Sequence, residues 1–452
     1  MRKLFGTDGM RGAAGTPPLD PVSLYRLGRA VVASVGDHPR SDAVPPRVCL
    51  GMDTRESCGW IAAALAQGIR DAGGEPVSAG VMPTPALALV VREGNFRAGL
   101  MVSASHNPYQ DNGVKVLDAT GSKLSDADEA RLELLMEQQP EPEGCGDTDG
   151  GLIDESASLD EHYLAFLERC LEGAHFKGLR VALDTAHGAA FRLAPEAFRR
   201  AGAEVIQIGG EPDGRNINDG LGSLHPEALE RTVRETGAHI GFAFDGDADR
   251  CIGVTSTGGL LDGDFMLYYM GRVLHDTRRL AYCTVVATSM SNFGLEKALR
   301  GEEIRLLRTD VGDRYVLQAL KEGGFVLGGE QSGHVILMHY APTGDGILTA
   351  LTLTRMWRGG GGDLDEALAQ MPRYPQVLKN LKVREKPAIA ERPVLAAAVR
   401  AAEEALAGDG RVVVRYSGTE PLLRVMVEGP ERQRVEQIAD SVLEAFRREV
   451  GA

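Results

Sequence analysis

A chain of 452 residues, 43% hydrophobic and 25% charged, is globular rather than disordered and long enough for roughly three domains. Its 49 basic and 64 acidic side chains leave a net charge of −15. That charge argues against nucleic acid as a partner and gives no support to a polybasic membrane anchor, although a local arginine cluster can still hold a small anion.

The chain opens Met1-Arg2-Lys3-Leu4-Phe5-Gly6-Thr7-Asp8, where Asp8 comes too early for the apolar region of a signal peptide. No run reaches the roughly 18 apolar residues of a membrane span, and the most apolar stretch, 77–91, is broken by Pro83 and Pro85. Cys49, Cys58, Cys145, Cys170, Cys251 and Cys283 show no CxxC or CxxH spacing. Neither zinc nor disulfides are expected, and reduced thiols in a cytoplasmic protein are.

Three times a short β-branched run ends in a polar turn that opens a helix: 47–55, 179–185 and 284–289. Each predicts a second, glycine-bracketed strand further on, at 74–80, 203–209 and 323–328. Strands alternating with helices predict βαβ units with mainly parallel sheets, here three related α/β domains. From about Arg384 the order changes to helix, strand, turn, strand, helix. Arg411–Tyr416 and Leu422–Glu428 read as paired strands. In the last helix Val435, Ile438, Ala439, Val442, Leu443 and Phe446 share one face. The fold class is therefore three related mixed α/β domains, at 1–155, 156–255 and 256–371, followed by a C-terminal α+β domain at 372–452. The acidic, glycine-rich segment Glu141–Gly151 reads as a solvated loop before the first joint.

Four polar segments stand out from this scaffold. Ser103-Ala104-Ser105-His106-Asn107-Pro108 follows the apolar strand 98–102, and a serine in a turn after a buried strand suits a nucleophile or phosphate carrier. Asp245-Gly246-Asp247-Ala248-Asp249-Arg250 follows strand 240–244. Carboxylates at alternate positions can converge on one hard cation, and all-oxygen ligands favour Mg²⁺. An EF-hand is excluded, because its sixth and twelfth positions hold Arg250 and Ser256. Gly329-Glu330-Gln331-Ser332-Gly333-His334 suits a loop approaching a polyhydroxylated ligand, with Glu330 accepting hydroxyl hydrogen bonds. Arg415-Tyr416-Ser417-Gly418-Thr419-Glu420-Pro421, with Arg424 beyond, offers hydroxyls, backbone amides and arginines to a phosphate. Carrier, metal, proton shuttle and arginine clamp together describe phosphoryl transfer.

These segments, in this order, resemble the α-D-phosphohexomutase family from Phe5 to Gly429. Phe5–Gly12 matches the family's start, and the four segments match its serine, metal, sugar and phosphate loops. Thr309–Tyr315 and Ala287–Asn292 add agreement. The resemblance implies that Ser105 is the phosphorylated carrier, and that Asp245, Asp247 and Asp249 bind one Mg²⁺ with a phosphate oxygen on Ser105. It implies that Glu330 and Ser332 hold sugar hydroxyls, that Arg415, Ser417, Gly418, Thr419 and Arg424 hold the non-reacting phosphate, and that Arg11, Lys115 and Arg250 line the transfer site. Lys115 or His334 would shuttle the proton. The implied fold is four domains around a central cleft, the last like half of a TATA-binding protein. The implied reaction interconverts glucosamine 6-phosphate and glucosamine 1-phosphate through glucosamine 1,6-bisphosphate, supplying UDP-N-acetylglucosamine for peptidoglycan. Gln331 matches the glucosamine branch, and mannose or glucose phosphates are the alternative substrates. The expected partner is the hexosamine phosphate, with neither nucleic acid nor membrane, and a homodimer left open. His187, Leu221 and Gln110 depart from the family's usual residues without removing a chemical role.

Overall fold

The computed structural model describes residues 4–6, 9–36, 44–143, 151–417 and 421–452. Thr7, Asp8, Cys145, Gly418 and Thr419, with most of the acidic loop, lie outside the described residues.

The first domain holds β1 (Phe5–Gly6), β2 (Gly9–Ala13), α1 (Pro21–Gly36), β3 (Arg47–Met52), α2 (Cys58–Asp71), β4 (Glu75–Val81), α3 (Thr84–Glu93), β5 (Ala98–Val102), β6 (Asp111–Asp118), α4 (Asp126–Glu137) and β7 (Ile153–Asp154). Its sheet runs β1-β2-β6-β5-β3-β4-β7. β3 is parallel to β4 and β5, and β6 is antiparallel to β5. All five residues of β5 are buried, as expected of a strand covered on both faces. Leu27 and Val31 of α1, Ile61 and Leu65 of α2, and Leu50 and Leu100 of the sheet share one core. α1 and α2 approach so closely that a Cβ on Gly28 would lie 2.2 Å from the Leu65 carbonyl oxygen, and one on Gly68 2.1 Å from that of Tyr25.

The second domain comprises α5 (Ser156–Cys170), β8 (Arg180–Asp184), α6 (Leu193–Arg200), β9 (Glu204–Ile208), α7 (Glu227–Thr236), β10 (Ile240–Phe244), β11 (Cys251–Thr255) and β12 (Leu260–Leu261). The sheet order is β12-β11-β10-β8-β9. The third carries α8 (Gly263–Asp276), β13 (Thr284–Thr288), α9 (Phe293–Gly301), β14 (Arg305–Thr309), α10 (Asp313–Gly323), β15 (Leu327–Gly329), β16 (Val335–Leu337), α11 (Gly346–Arg358) and α12 (Leu364–Gln370). Its sheet runs β14-β13-β15-β16.

The same six-element unit, β-α-β-α-β-β, therefore recurs at β3–β6, β8–β11 and β13–β16. Each copy orders its strands second, first, third, fourth, with the fourth antiparallel to the third. The third copy corrects the sequence reading. Its second strand is β14, whereas Gly323 ends α10 and Gly324 takes the left-handed cap conformation (φ +65°). The strand placed at 323–328 starts only at Leu327.

The last domain contains β17 (Gln376–Lys382), α13 (Pro393–Ala405), β18 (Arg411–Tyr416), β19 (Leu422–Glu428) and α14 (Arg432–Val450). Its antiparallel sheet runs β17-β19-β18; from Arg384 onward helix, strand, strand and helix follow in the predicted order, and β17 is an additional strand ahead of them. Val435, Ile438, Val442 and Phe446 of α14 enter its core. By packing, the chain forms two compact units: Met1–Ser289 with Leu307–Glu366, and Met290–Leu306 with Ala367–Ala452. Among the described residues no helix is long and apolar enough to cross a membrane. Cys49, Cys58, Cys170, Cys251 and Cys283 are free thiols.

Candidate active site

The serine, metal and sugar loops occupy the same place in their repeats. Each leaves the carboxyl end of the third strand, β5, β10 or β15, and leads into the antiparallel fourth. Loops at strand ends are where side chains can leave a packed sheet for chemistry.

In the serine loop Ser103 and Ser105 diverge. The Ser103 hydroxyl is buried, donates to Asp53 Oδ2 (2.6 Å) and accepts the Ser105 N–H (2.9 Å). Ser105 takes a left-handed conformation (φ +53°), uncommon for a residue with a Cβ. Its Oγ donates to Asp245 Oδ2 (2.7 Å) and lies 3.4 Å from His106 Nδ1. Burial first, then the charges of Arg250 and Arg11, lower the His106 pKa, so the ring is neutral at pH 7. The Arg250 guanidinium lies 3.4 Å from the same nitrogen. Burial works against its charge, but the carboxylates of Asp249, Asp245 and Glu330 raise its pKa overall.

Asp245, Asp247 and Asp249 are all buried, each presenting an oxygen within 4.8 Å of the others. Burial, with the charges of Asp249 and Asp247, pushes the Asp245 carboxyl far above the carboxylate range. Asp249 Oδ1 is buried and accepts no hydrogen bond among the described residues. Three crowded acceptors, one without a donor, fit a hard divalent cation, and a set made only of oxygen fits Mg²⁺. Lys115, opposite Met101 in the β5–β6 register, reaches Asp247 Oδ2 at 2.6 Å and Asp249 Oδ2 at 3.6 Å.

The first and third domains also meet the metal loop through their backbones. Thr84, at the start of α3, donates its N–H to the Asp247 carbonyl (3.0 Å) and its hydroxyl to the Asp247 carboxylate (2.5 Å). Gly346, at the start of α11, donates to the Ala248 carbonyl (3.0 Å). The sugar loop leans on the same hairpin, where the Cys251 N–H donates to the Gly333 carbonyl (3.0 Å). Glu330 Oε1 accepts the Gly312 N–H (3.2 Å) from the loop before α10. Ser332 is exposed. His334 is buried, its Nδ1 without a hydrogen bond among the described residues and its Nε2 4.0 Å from Asp313 Oδ2. A cavity of about 700 Å³ is lined by Gly9, Thr84, Lys115, Lys123, Asp313 and His334, among others.

The structure thus brings Ser105, His106, Lys115, Asp245, Asp247, Asp249 and Arg250 together, with Arg11 near enough to act on His106 and Glu330 near enough to act on Arg250. Arg415, Ser417 and Arg424 belong to the second compact unit. There Arg415 and Arg424 are direct cross-strand partners, and the Lys386 ammonium donates to the Ser417 carbonyl (2.5 Å). Like charges directly opposite on a sheet repel, so this corner is suited to an anion. Sequence reasoning missed Thr84, Asn218 and the role of Arg55. Their partners are mostly backbone carbonyls from distant segments, which leave no motif.

Comparison with known proteins identifies the assembly. Residues 2–143, 161–258, 262–374 and 378–445 match, in order, alpha/beta/alpha domains I, II and III and the C-terminal domain of phosphoglucomutase/phosphomannomutase. A protein of Solibacter usitatus named phosphoglucosamine mutase is 47% identical over 100% of this chain and 99% of its own. The Moorella thermoacetica protein of that name is 46% identical over 97% and 98%. Among solved structures, a phosphoglucomutase/phosphomannomutase family protein of Burkholderia thailandensis superposes with a TM-score of 0.80 at 24% identity, covering 99% of this chain and 98% of that one. N-acetylphosphoglucosamine mutase of Aspergillus fumigatus, solved with GlcNAc-6P and magnesium, gives a TM-score of 0.66 at 18% identity over 98% and 95%.

Proposed function

The chain belongs to the phosphoglucomutase/phosphomannomutase family, and on that premise we propose that it interconverts glucosamine 6-phosphate and glucosamine 1-phosphate. The full-length likeness to proteins named phosphoglucosamine mutase supports the sugar. The observation that carries the chemistry is the Ser105 hydroxyl, 2.7 Å from a carboxylate of a buried aspartate triad.

Asp245, Asp247 and Asp249, with an oxygen of the Ser105 phosphate, would hold one Mg²⁺, which supplies charge neutralisation to the phosphoryl group in flight. Phospho-Ser105 gives its phosphoryl to the free sugar hydroxyl. The bond from Ser105 Oγ to phosphorus breaks, the bond from sugar oxygen to phosphorus forms, and the hydroxyl proton passes by way of Lys115 or His334 to the serine oxygen. Glucosamine 1,6-bisphosphate then turns over in the site and returns its other phosphate to Ser105. Arg11, Lys115 and Arg250 line the transfer position, and Glu330 and Ser332 receive the sugar hydroxyls. Arg415, Ser417, Gly418, Thr419 and Arg424 hold the phosphate that is not reacting.

A substrate panel tests the reading. kcat/KM for glucosamine phosphate should exceed that for mannose and glucose phosphates, and Ser105→Ala should abolish turnover. Preferred turnover of mannose phosphate would move the protein to the sibling activity. A fully active Ser105→Ala enzyme would remove the carrier.

A further inference from the structure

Arg55 lies just past the end of β3 and is only 2% exposed. Its guanidinium spreads beneath the serine loop. Nε donates to Asp53 Oδ2 (2.9 Å). Nη1 donates to the carbonyls of Pro108 (2.5 Å) and Asp111 (3.1 Å). Nη2 donates to those of Ser105 (2.9 Å) and Asn107 (2.8 Å). A guanidinium has five N–H donors in a fixed fork, and here they meet one carboxylate and four carbonyls of a single turn. From the second domain, Asn218 Nδ2 donates to two of the same carbonyls, Ser105 (2.9 Å) and Asn107 (3.2 Å). Asp53 completes the frame by accepting the Ser103 hydroxyl and the Arg55 N–H (3.0 Å).

Left-handed backbone at a non-glycine residue persists only where its surroundings over-determine it. At Ser105 the Ser103 hydroxyl holds the N–H, and donors from Arg55 and Asn218 hold the carbonyl. We infer that Arg55 and Asn218 are positioning residues for phosphoryl transfer. They hold the Ser105 carbonyl between two domains and so fix the direction in which its Oγ leaves the loop, toward Asp245. Neither residue faces the reacting atoms. A lysine at 55 would keep the charge but could not span four carbonyls. The inference rests on Ser105 being the carrier.

The test uses the full-length enzyme with Mg²⁺ and glucosamine 1,6-bisphosphate, following phosphate on Ser105 by intact mass in a single turnover, beside steady-state kinetics and thermal unfolding. Arg55→Lys should slow phosphorylation of Ser105 and kcat by about 100-fold, as ångström-scale misplacement of a reacting group does, with KM within about threefold of wild type. Asn218→Ala, which removes one of two donors to each carbonyl, should slow both by about tenfold. If Arg55→Lys does not fold, Asn218→Ala decides alone. Variants that phosphorylate at the wild-type rate and lose only melting temperature would overturn the inference. A wild-type enzyme that takes no phosphate on Ser105 would defeat the carrier reading and this inference with it.

Discussion

Gly246 sits where the carrier and metal loops press together. A Cβ there would lie 2.4 Å from the Ser105 carbonyl oxygen and 2.9 Å from Asn218 Nδ2. On the facing side, a Cβ on Gly188 would lie 2.5 Å from the Gly246 carbonyl oxygen. Backbone cannot retreat as a flexible side chain can, so even one methyl group must move a loop. Gly246→Ala should cost about 1–3 kcal/mol of stability, the usual penalty of overpacking, and about 100-fold in kcat as Ser105 shifts against Asp245. Urea unfolding and steady-state kinetics check the two effects separately. A variant of wild-type activity would show that the loops have slack. The dipeptide Asp245-Gly246 discloses the metal ligand but not this constraint, because the atom that demands glycine belongs to residue 105.

At the scale of elements, two of the strands that precede site loops were legible because their burial is complete. Strands 98–102 and 240–244 are apolar along their whole length because both faces are covered. Two of the overlooked strands, β14 and β17, are edges. β14 reads Arg-Leu-Leu-Arg-Thr with no fully buried position, and β17 buries only Val377 and Leu381. Edge strands are defined by hydrogen bonds to a neighbour, which composition does not record. The β18–β19 hairpin carries a prediction of its own. In the proposed reading Arg415 grips the distal phosphate, beside Arg424 in register. Arg415→Ala should lose about 1.5–3 kcal/mol of binding, a rise in KM of roughly 10- to 100-fold. The exposed side chain contributes little to the fold, so melting should hardly change. An unchanged KM would leave the segment as an ordinary hairpin turn.

At the scale of the whole molecule, carboxylates outside the site tie distant segments together. Glu172, at the end of α5, accepts both terminal nitrogens of Arg279 (3.0 and 2.9 Å) and also meets Arg355 and Tyr340. Led by the Arg279 hydrogen bonds, these partners lower its pKa from 4.5 to about 2. The folded state thus favours the ionised form. Its stabilisation is complete above pH 4.5 and fades as pH falls toward 2. Urea midpoints should show wild type ahead of Glu172→Gln at pH 7, with the gap closing through that window. A gap independent of pH would mean that the carboxylate's charge is not what joins α5 to α11.

Glu428 of the second compact unit is wholly buried. It pairs with Arg411 and accepts the N–H groups of Phe293 (3.2 Å) and Gln376 Nε2 (3.1 Å). Asn292 exchanges two hydrogen bonds with the Tyr374 backbone (2.9 and 3.0 Å), and Gly294 packs on the Pro372 carbonyl. That unit is therefore assembled from two stretches separated along the chain, and biosynthesis delivers them at different times. Segment 290–306 leaves the ribosome first and must wait, its half of the interface unmade, until the strands that bury Glu428 emerge. A piece cut at the start of β17 would fold, if at all, with a vacancy where α9 belongs.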